Sequence, residues 1–228
     1  MDSFLYLIIN TLSILIPLSL SFEKRVNYYN KLKNFLPGLL ITIFIFILWD
    51  IIFTKLGIWG FNKRYLIGIS IIELPLEEWL FFFCIPYASI FIHYCKEELI
   101  HWFVLSKELT KWLTILLILF LLILSLLNFY KLYTFTCFLF TSILLGIVFF
   151  RDNKLLRSFI ASYLIILIPF FMVNGVLTGS FITDEIVWYN NNHNLGIRLW
   201  TIPFEDIFYG FSLLLTPLYL SREIKNNY

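Results

Sequence analysis

Charged residues are scarce in this sequence, and so are histidine and cysteine. Asp, Glu, Lys and Arg make up 14% of the 228 residues, the net charge is +2, and there are three His and three Cys. Soluble domains carry about 25% charged residues, so this composition excludes an ordinary water-soluble protein. So small a net charge gives no reason to expect a nucleic-acid partner. The cysteines lie in or beside apolar runs without metal-ligand spacing, so we expect buried thiols and no metal site.

Nucleotide-binding motifs are also missing. The sequence contains no Gly-x-Gly-x-x-Gly fingerprint and no P-loop, so we expect no Rossmann-type cofactor. The residues point to no other cofactor, and a flavin would have to bind at a site that is not of the Rossmann type. The last apolar run holds no lysine that could bind retinal as a Schiff base, which argues against a rhodopsin.

Apolar residues, in contrast, are abundant: 60% of the chain is hydrophobic, 20% is aromatic, and the mean hydropathy is +0.85. A helix needs about 20 apolar residues to cross the roughly 30 Å hydrocarbon layer. The sequence therefore predicts an all-α fold, a polytopic helix bundle in the membrane, with a first span that is retained because it lacks signal-peptide features. The seven predicted spans are Phe4–Leu20, Leu36–Phe53, Leu76–Cys95, Trp112–Leu127, Tyr133–Phe150, Phe159–Leu177 and Ile202–Leu220.

Basic residues are divided unequally between the two sets of segments that connect these spans. Cytoplasmic segments of membrane proteins carry an excess of Lys and Arg, so the count predicts a cytoplasmic C-terminus and an N-terminus outside. Twelve lie on the predicted cytoplasmic side and five on the other: Lys24, Arg25, Lys31, Lys33, Lys96, Lys107, Lys111, Arg151, Lys154, Arg157, Arg222 and Lys225 against Lys55, Lys63, Arg64, Lys131 and Arg198.

An internal repeat organises the chain. A Pro-x-acid-acid motif occurs twice, as Pro75-Leu-Glu77-Glu78 and Pro203-Phe-Glu205-Asp206, and the residues Asn62 and Gly68 before the first copy recur as Asn190 and Gly196 before the second. Asp50 and Thr54 match Asn174 and Thr178 after a four-residue gap. The predicted units are a first repeat at 1–103 (helices 1–3), a linker helix at 104–130 and a second repeat at 131–228 (helices 5–7).

A single linker helix makes the two repeats parallel copies, related by a pseudo-two-fold axis along the membrane normal. Both acidic motifs then lie at the same membrane face, which the charge count places outside. Proline is favoured at the first position of a helix, so the four acids are expected in a first helical turn. Acidic residues are also common in the first turn of ordinary helices. The alternative to a catalytic role is therefore that the four acids only mark the starts of the two helices.

The functional interpretation makes Glu77, Glu78, Glu205 and Asp206 the candidate catalytic residues. Desolvation near lipid favours the protonated form of a carboxyl group, and a neighbouring carboxylate favours it further. A protonated carboxylic acid in an apolar pocket can act as a general acid at neutral pH.

Further residues near the motifs are candidates for binding or orienting a substrate. Aromatic faces stabilise a cation without trapping it, although an interfacial aromatic belt is the alternative explanation. Arg198 aligns with Ser70, so its role would be asymmetric. The candidates are Asp50, Asn174, Trp59, Asn62, Trp188, Tyr189, Asn190 and Arg198.

These motifs resemble the two halves of the integral-membrane lycopene cyclases. The first half is similar over Asp50…Trp59-x-Phe-Asn62…Pro75-Leu-Glu77-Glu78, and the second over Asn174-Gly-Val-Leu-Thr-Gly179…Val187-Trp-Tyr-Asn190…Pro203-Phe-Glu205-Asp206. The resemblance implies the fused form of this family, whose halves also occur as separate subunits that work as pairs. It further implies an intramolecular lyase or isomerase in the bilayer, which closes rings, most often β-ionone rings, at the ends of lycopene or a related linear carotenoid.

Transport is the competing function. A parallel three-plus-one-plus-three arrangement with membrane acids also describes small sugar carriers, and Pro86, Pro169 and Pro217 lie within predicted spans. A carrier, however, needs a polar path with polar residues on both sides of its gate. The residues in the middle of the spans are mostly Ile, Leu and Phe, which favours cyclisation.

Overall fold

The fold is a bundle of long helices, described here by a computed structural model over residues 2–226. Its apolar side chains cover the outer surface, as expected of a protein solvated by lipid. Helices satisfy their own backbone hydrogen bonds, which is required where no water is present. The seven α-helices of residues 2–226 are α1 Leu5–Leu20, α2 Tyr28–Lys55, α3 Leu76–Leu99, α4 Lys107–Leu127, α5 Leu132–Arg151, α6 Asn153–Leu177 and α7 Phe204–Asn226. They confirm the all-α membrane bundle.

Six of these helices, α1 to α6, are long and apolar enough to cross a membrane. The exception is α7, although its 23 residues span about 35 Å. It begins with two acids and packs against α2, α3, α5 and α6, and every residue of its segment 211–218 is buried. A helix surrounded by protein needs less hydrophobicity than one that faces lipid, which explains why α7 differs from the others.

Three helices begin earlier than the apolar pattern predicts. Helix α2 starts at Tyr28 instead of Leu36, α4 at Lys107 instead of Trp112, and α6 at Asn153 instead of Phe159. Polar caps account for two of these starts. The hydroxyl of Ser106 accepts a hydrogen bond from the N–H of Leu109, and Asp152 Oδ1 accepts one from the N–H of Leu155; such caps favour helix starts outside the apolar run.

Helix α7 packs mainly against α2 and α5, and α1 packs against α3, whereas α4 packs on the outside against α5. Helices α2 and α7 approach each other closely at Gly38 of α2. A Cβ atom at Gly38 would lie 2.5 Å from the carbonyl oxygen of Pro217 in α7. Glycine therefore allows α2 and α7 to pack together without a gap.

Short strands connect the helices at the end of the bundle that carries the acids, and the sequence analysis did not predict them. Strand β1 (Trp59–Phe61) pairs antiparallel with β4 (Val187–Tyr189), so that Gly60 lies opposite Trp188. These two residues are equivalent in the repeat alignment, and the pseudo-two-fold axis therefore passes through their pair.

Two hairpins precede α3 and α7 and have the same form. Strand β2 (Ser70–Ile71) pairs with β3 (Leu74–Pro75), and β5 (Arg198–Leu199) pairs with β6 (Ile202–Pro203). Pro75 and Pro203 therefore end a strand, and the helices begin one residue later, at Leu76 and Phe204. Each proline therefore stands where a helix begins, but as the last residue of a hairpin strand and not in the first helical position. The acids still lie in the first turn.

Candidate functional site

A cavity of about 470 Å³ lies inside the bundle at the end that carries the acids. This volume is typical of small-molecule sites, which are mostly apolar with a few placed polar groups. Apolar side chains from α1, α3, α6 and α7 form most of its wall. Three carboxyl groups also line it: Asp50 from α2, Glu78 from α3 and Asp206 from α7. Both halves of the chain therefore contribute acids to one cavity.

Asp206 is held by two tyrosines. The hydroxyl of Tyr133 in α5 donates to Oδ1 at 2.6 Å, and the hydroxyl of Tyr189 in β4 donates to Oδ2 at 2.9 Å. Asp206 is 5% exposed. With both oxygens accepting hydrogen bonds, this carboxyl group has a fixed orientation at the cavity wall.

Glu78 has the equivalent place in the first half. Its Oε2 accepts a hydrogen bond from the hydroxyl of Tyr6 in α1, and Tyr6 is 1% exposed. Tyr6 and Tyr133 occupy equivalent positions in α1 and α5, and each donates to the second acid of its own motif. Within residues 2–226, the other oxygen of Glu78 has no hydrogen bond from a protein group.

Asp50, the third acid, lies near the end of α2 and is 1% exposed. Its Oδ1 accepts hydrogen bonds from the indole N–H of Trp59 and, at 3.3 Å, from the hydroxyl of Thr54. Its Oδ2 is buried and has no partner among the described residues. Asp50 thus lines the same cavity as Glu78 and Asp206, and its role in binding or orienting a substrate stays a prediction.

The first acid of each motif is placed differently. Glu77 and Glu205 are fully buried but do not belong to the cavity wall. Glu77 Oε1 accepts from the N–H of Ile67 at 2.6 Å, and Glu205 Oε1 accepts from the N–H of Leu195 at 2.7 Å and from the hydroxyl of Thr134. Each therefore ties the connecting segment before its hairpin to the start of the helix.

The two predicted asparagines outside the helices shape the connecting segments. Asn62 Oδ1 accepts from the N–H of Arg64 at 3.1 Å, and Asn190 Oδ1 accepts from the N–H of Asn192 at 3.1 Å. Neither asparagine lines the cavity, whereas Asn174 of α6 does. The Asn174 side chain donates to the carbonyl of Phe170 in its own helix and forms no hydrogen bond with Asp50, Glu78 or Asp206.

The remaining candidates form a layer around the cavity. Trp59 and Tyr189 line it directly, with the Trp59 ring 5.1 Å from that of Tyr133. Trp188 is 38% exposed and covers Gly60 instead. Arg198 donates to the carbonyl of Thr201 at 2.8 Å and lies 5.8 Å from the Tyr189 ring; it contacts the site only through Tyr189.

Sequence reasoning missed Tyr6 and Tyr133, the hydroxyl donors of α1 and α5. Both lie in or beside long apolar runs, where a tyrosine looks like an interfacial residue. A signal was present: the two tyrosines are related by an offset of 127 residues, and Asn10 and Cys137 share that offset. Asn10 and Cys137 also have equivalent contacts, because they donate to the backbone carbonyls of Glu77 and Glu205 respectively.

A second polar cluster lies about four helical turns along α3 from the acids. His93 Nδ1 is 2.7 Å from the hydroxyl of Ser162, and the ammonium of Lys96 donates to Glu97 and to Ser158. Both serines belong to α6. The cluster fastens α3 to α6, and a role in packing accounts for every one of these contacts.

Comparison with known proteins gives one match. A family model described as lycopene cyclase matches residues 3–96 and 130–222 of the chain. A search of curated proteins and a search of solved structures found no match. The two matched segments contain the two acidic motifs, the paired tyrosines and all three carboxyl groups of the cavity.

Proposed function

Since the chain belongs to the lycopene cyclase family, we propose that it closes rings, most often of the β type, at the ends of lycopene or a related linear carotenoid, by acid-initiated cyclisation without oxidation or reduction. The family assignment supports carotenoid cyclisation as such. The observation that carries the proposed mechanism is the placement of Asp50, Glu78 and Asp206 around one apolar cavity.

The chemistry needs a proton donor, a wall that tolerates a cation and a proton acceptor. A proton added to the terminal double bond of the polyene gives a tertiary cation. An internal double bond attacks this cation, forms the carbon–carbon bond of the ring and moves the positive charge into the ring. Loss of a proton from a neighbouring carbon restores a double bond, so the product is an isomer of the substrate.

The hydrogen bonds distribute these roles. Glu78 accepts one hydrogen bond, from Tyr6, whereas Asp50 and Asp206 each accept two. Fewer hydrogen bonds stabilise the ionised form of Glu78, so we assign it as the proton donor. Asp206 accepts hydrogen bonds on both oxygens, which favours a group that stays ionised, stabilises the cation and receives the proton that is lost. The rings of Trp59, Tyr133, Tyr189 and Tyr209, which also line the cavity, stabilise the cation in addition. Asp50 orients Trp59, and Glu77 and Glu205 position the helix starts.

The test uses lycopene-accumulating bacteria and chromatographic analysis of their carotenoids. The wild-type chain should produce ring-containing carotenoids. Glu78→Gln and Asp206→Asn should each lower ring formation at least about 100-fold, because general acid–base catalysis contributes about 10²–10⁴ in rate.

The first acid of each motif provides the matched controls. Glu77→Gln and Glu205→Gln keep a side-chain carbonyl that can accept the same backbone N–H, so each should retain at least about a tenth of the activity if it acts only in positioning. Normal amounts of cyclic product from both Glu78→Gln and Asp206→Asn would contradict the assigned roles. If Glu77→Gln and Glu205→Gln lose the cyclic product while Glu78→Gln and Asp206→Asn keep it, Glu77 and Glu205 are the catalytic residues instead.

A further inference from the structure

The cavity extends away from the acids to the outer surface of the bundle. Besides the carboxyl groups, its wall includes Leu12 and Ser13 of α1 and Met172 and Val173 of α6. A depression of about 250 Å³ lies between these two helices and is lined by the same four residues together with Ile9 and Val176. Leu12 and Met172 are 61% and 69% exposed. The cavity and the lipid-facing surface therefore meet between α1 and α6.

The repeat provides an internal comparison for this opening. Tyr6 of α1 and Tyr133 of α5 are equivalent in the repeat, and at the same spacing Ser13 of α1 is equivalent to Phe140 of α5. Asp50 of α2 and Asn174 of α6 are equivalent in the repeat, and at the same spacing Trp49 of α2 is equivalent to Val173 of α6. The gap between α1 and α6 thus has a counterpart between α5 and α2, with Phe140 and Trp49 in the places of Ser13 and Val173.

The counterpart gap is filled by aromatic rings. The ring of Phe140 lies 5.7 Å from that of Trp49 and 5.8 Å from that of Phe46, and Tyr209 lies 5.3 Å from Trp49. These centroid distances are typical of packed aromatic pairs. Neither Phe140 nor Trp49 lines the cavity. Two equivalent gaps therefore differ, because one has Ser and Val where the other has Phe and Trp.

We propose that the gap between α1 and α6 is the entrance through which one end of the linear polyene passes from the bilayer into the cavity. This inference rests on the proposed function. The proposed chemistry takes place at the end of a long linear polyene, so one end enters the cavity while the rest of the molecule extends into lipid. An opening on the side of the bundle is required for this arrangement. Its rim is apolar except for Ser13, whose hydroxyl donates to the carbonyl of Ile9 in the same helix, so the opening suits a hydrocarbon.

The experiment transfers the aromatic residues of the closed gap to the open one. When purified from lycopene-accumulating cells, the variant Ser13→Phe/Val173→Trp should carry at least tenfold less bound carotenoid (lycopene and its cyclic products together) than wild type, as measured by visible absorbance. Its ring formation should fall by a similar factor. The matched control is Leu15→Phe/Ile168→Trp, which adds the same residues at exposed positions of the same helices outside the cavity wall and should behave as wild type.

Two readouts separate this inference from the proposed function. If the double variant retains and converts lycopene as well as the control does, the entrance is wrong and the cyclisation proposal stands. If wild type binds lycopene but forms no rings, the cyclisation proposal fails and the carotenoid retained by the variants still tests the entrance. A wild type that retains neither lycopene nor its cyclic products overturns the entrance. Should the double variant fail to fold, the single variant Met172→Trp at the exposed rim replaces it, with Ile168→Trp as control and the same expected direction.

Discussion

Tyrosine hydroxyls hold the acids of the cavity in place. Tyr189 lies in β4, outside the helices, and donates to Asp206. Burial, and secondarily the nearby Asp206, raise the pKa of Tyr189 well above its usual value of 10.0. The hydroxyl therefore stays protonated over the physiological pH range and remains a donor. Asp206 keeps this hydrogen bond whenever it is ionised, which is the state that our proposal assigns to it.

Removing the hydroxyl of Tyr189 should lower the activity of the protein more than its stability. We expect Tyr189→Phe to lower ring formation about tenfold to 100-fold, because hydrogen bonds to charged groups contribute about 1.5–3 kcal/mol. Initial rates of product formation in isolated membranes would measure the effect. Tyr65→Phe is the control: Tyr65 is buried and its hydroxyl accepts from the N–H of Asp184, away from the cavity. Equal rates for Tyr189→Phe and wild type would contradict the role given to this contact.

At the scale of elements, the bundle depends on the close packing of α2 and α7. Besides the contact of Gly38 with Pro217, the hydroxyl of Ser221 in α7 donates to the carbonyl of Phe35 in α2 at 3.0 Å. Small residues allow helix backbones to approach closely in membranes. Since Asp50 and Asp206 belong to these two helices, their packing also sets the width of the cavity near the acids.

A methyl group at Gly38 should therefore separate the two helices. We expect Gly38→Ala to destabilise the protein by about 1–3 kcal/mol, the usual cost of overpacking, and to lower the apparent melting temperature in detergent. Gly146→Ala in α5 is the control, because a Cβ at Gly146 meets no atom within 4 Å; replacing glycine within a helix should leave stability unchanged or raise it by about 1 kcal/mol. A Gly38→Ala protein as stable as wild type would show that α7 can shift freely.

At the scale of the whole molecule, the two halves of the chain form the cavity jointly, because they meet on the pseudo-two-fold axis. The strand pair β1–β4 joins the halves, and Asn190 N–H donates to the carbonyl of Ile58 at 2.8 Å. Asp50 and Glu78 come from the first half and Asp206 from the second. The boundaries at 1–103, 104–130 and 131–228, and the placement of the N-terminus outside, stay predictions.

If both halves are needed, a chain divided between α3 and α4 should work only as a pair. Expression of residues 1–103 or 104–228 alone in lycopene-accumulating cells should give no cyclic product, because each fragment lacks part of the cavity wall. Co-expression should restore at least about a tenth of the activity of the intact chain, since the contacts between the halves bury apolar surface and pair backbone groups. Cyclic product from one fragment alone would show that the joint site is not required.

The sequence by itself determined the fold class and the repeat. Long apolar runs can only be helices in lipid, and polar residues that recur at a constant offset cannot be explained by shared hydrophobicity. The acidic motifs and Asp50 were found in the same way, and the family resemblance followed from them. The match to the lycopene cyclase family confirms that resemblance.

Only the tertiary structure decided which acid of each pair lines the cavity. Glu77 and Glu78 are adjacent in sequence, but successive helical positions point about 100° apart, so Glu78 lines the cavity while Glu77 binds a backbone N–H. The contacts of the tyrosines with the acids and the opening between α1 and α6 could not be predicted either, because the repeat relates Tyr6 to Tyr133 without showing which acids they bind. Both depend on which residues of distant helices meet, and a sequence pattern specifies the face of a helix without specifying its neighbour.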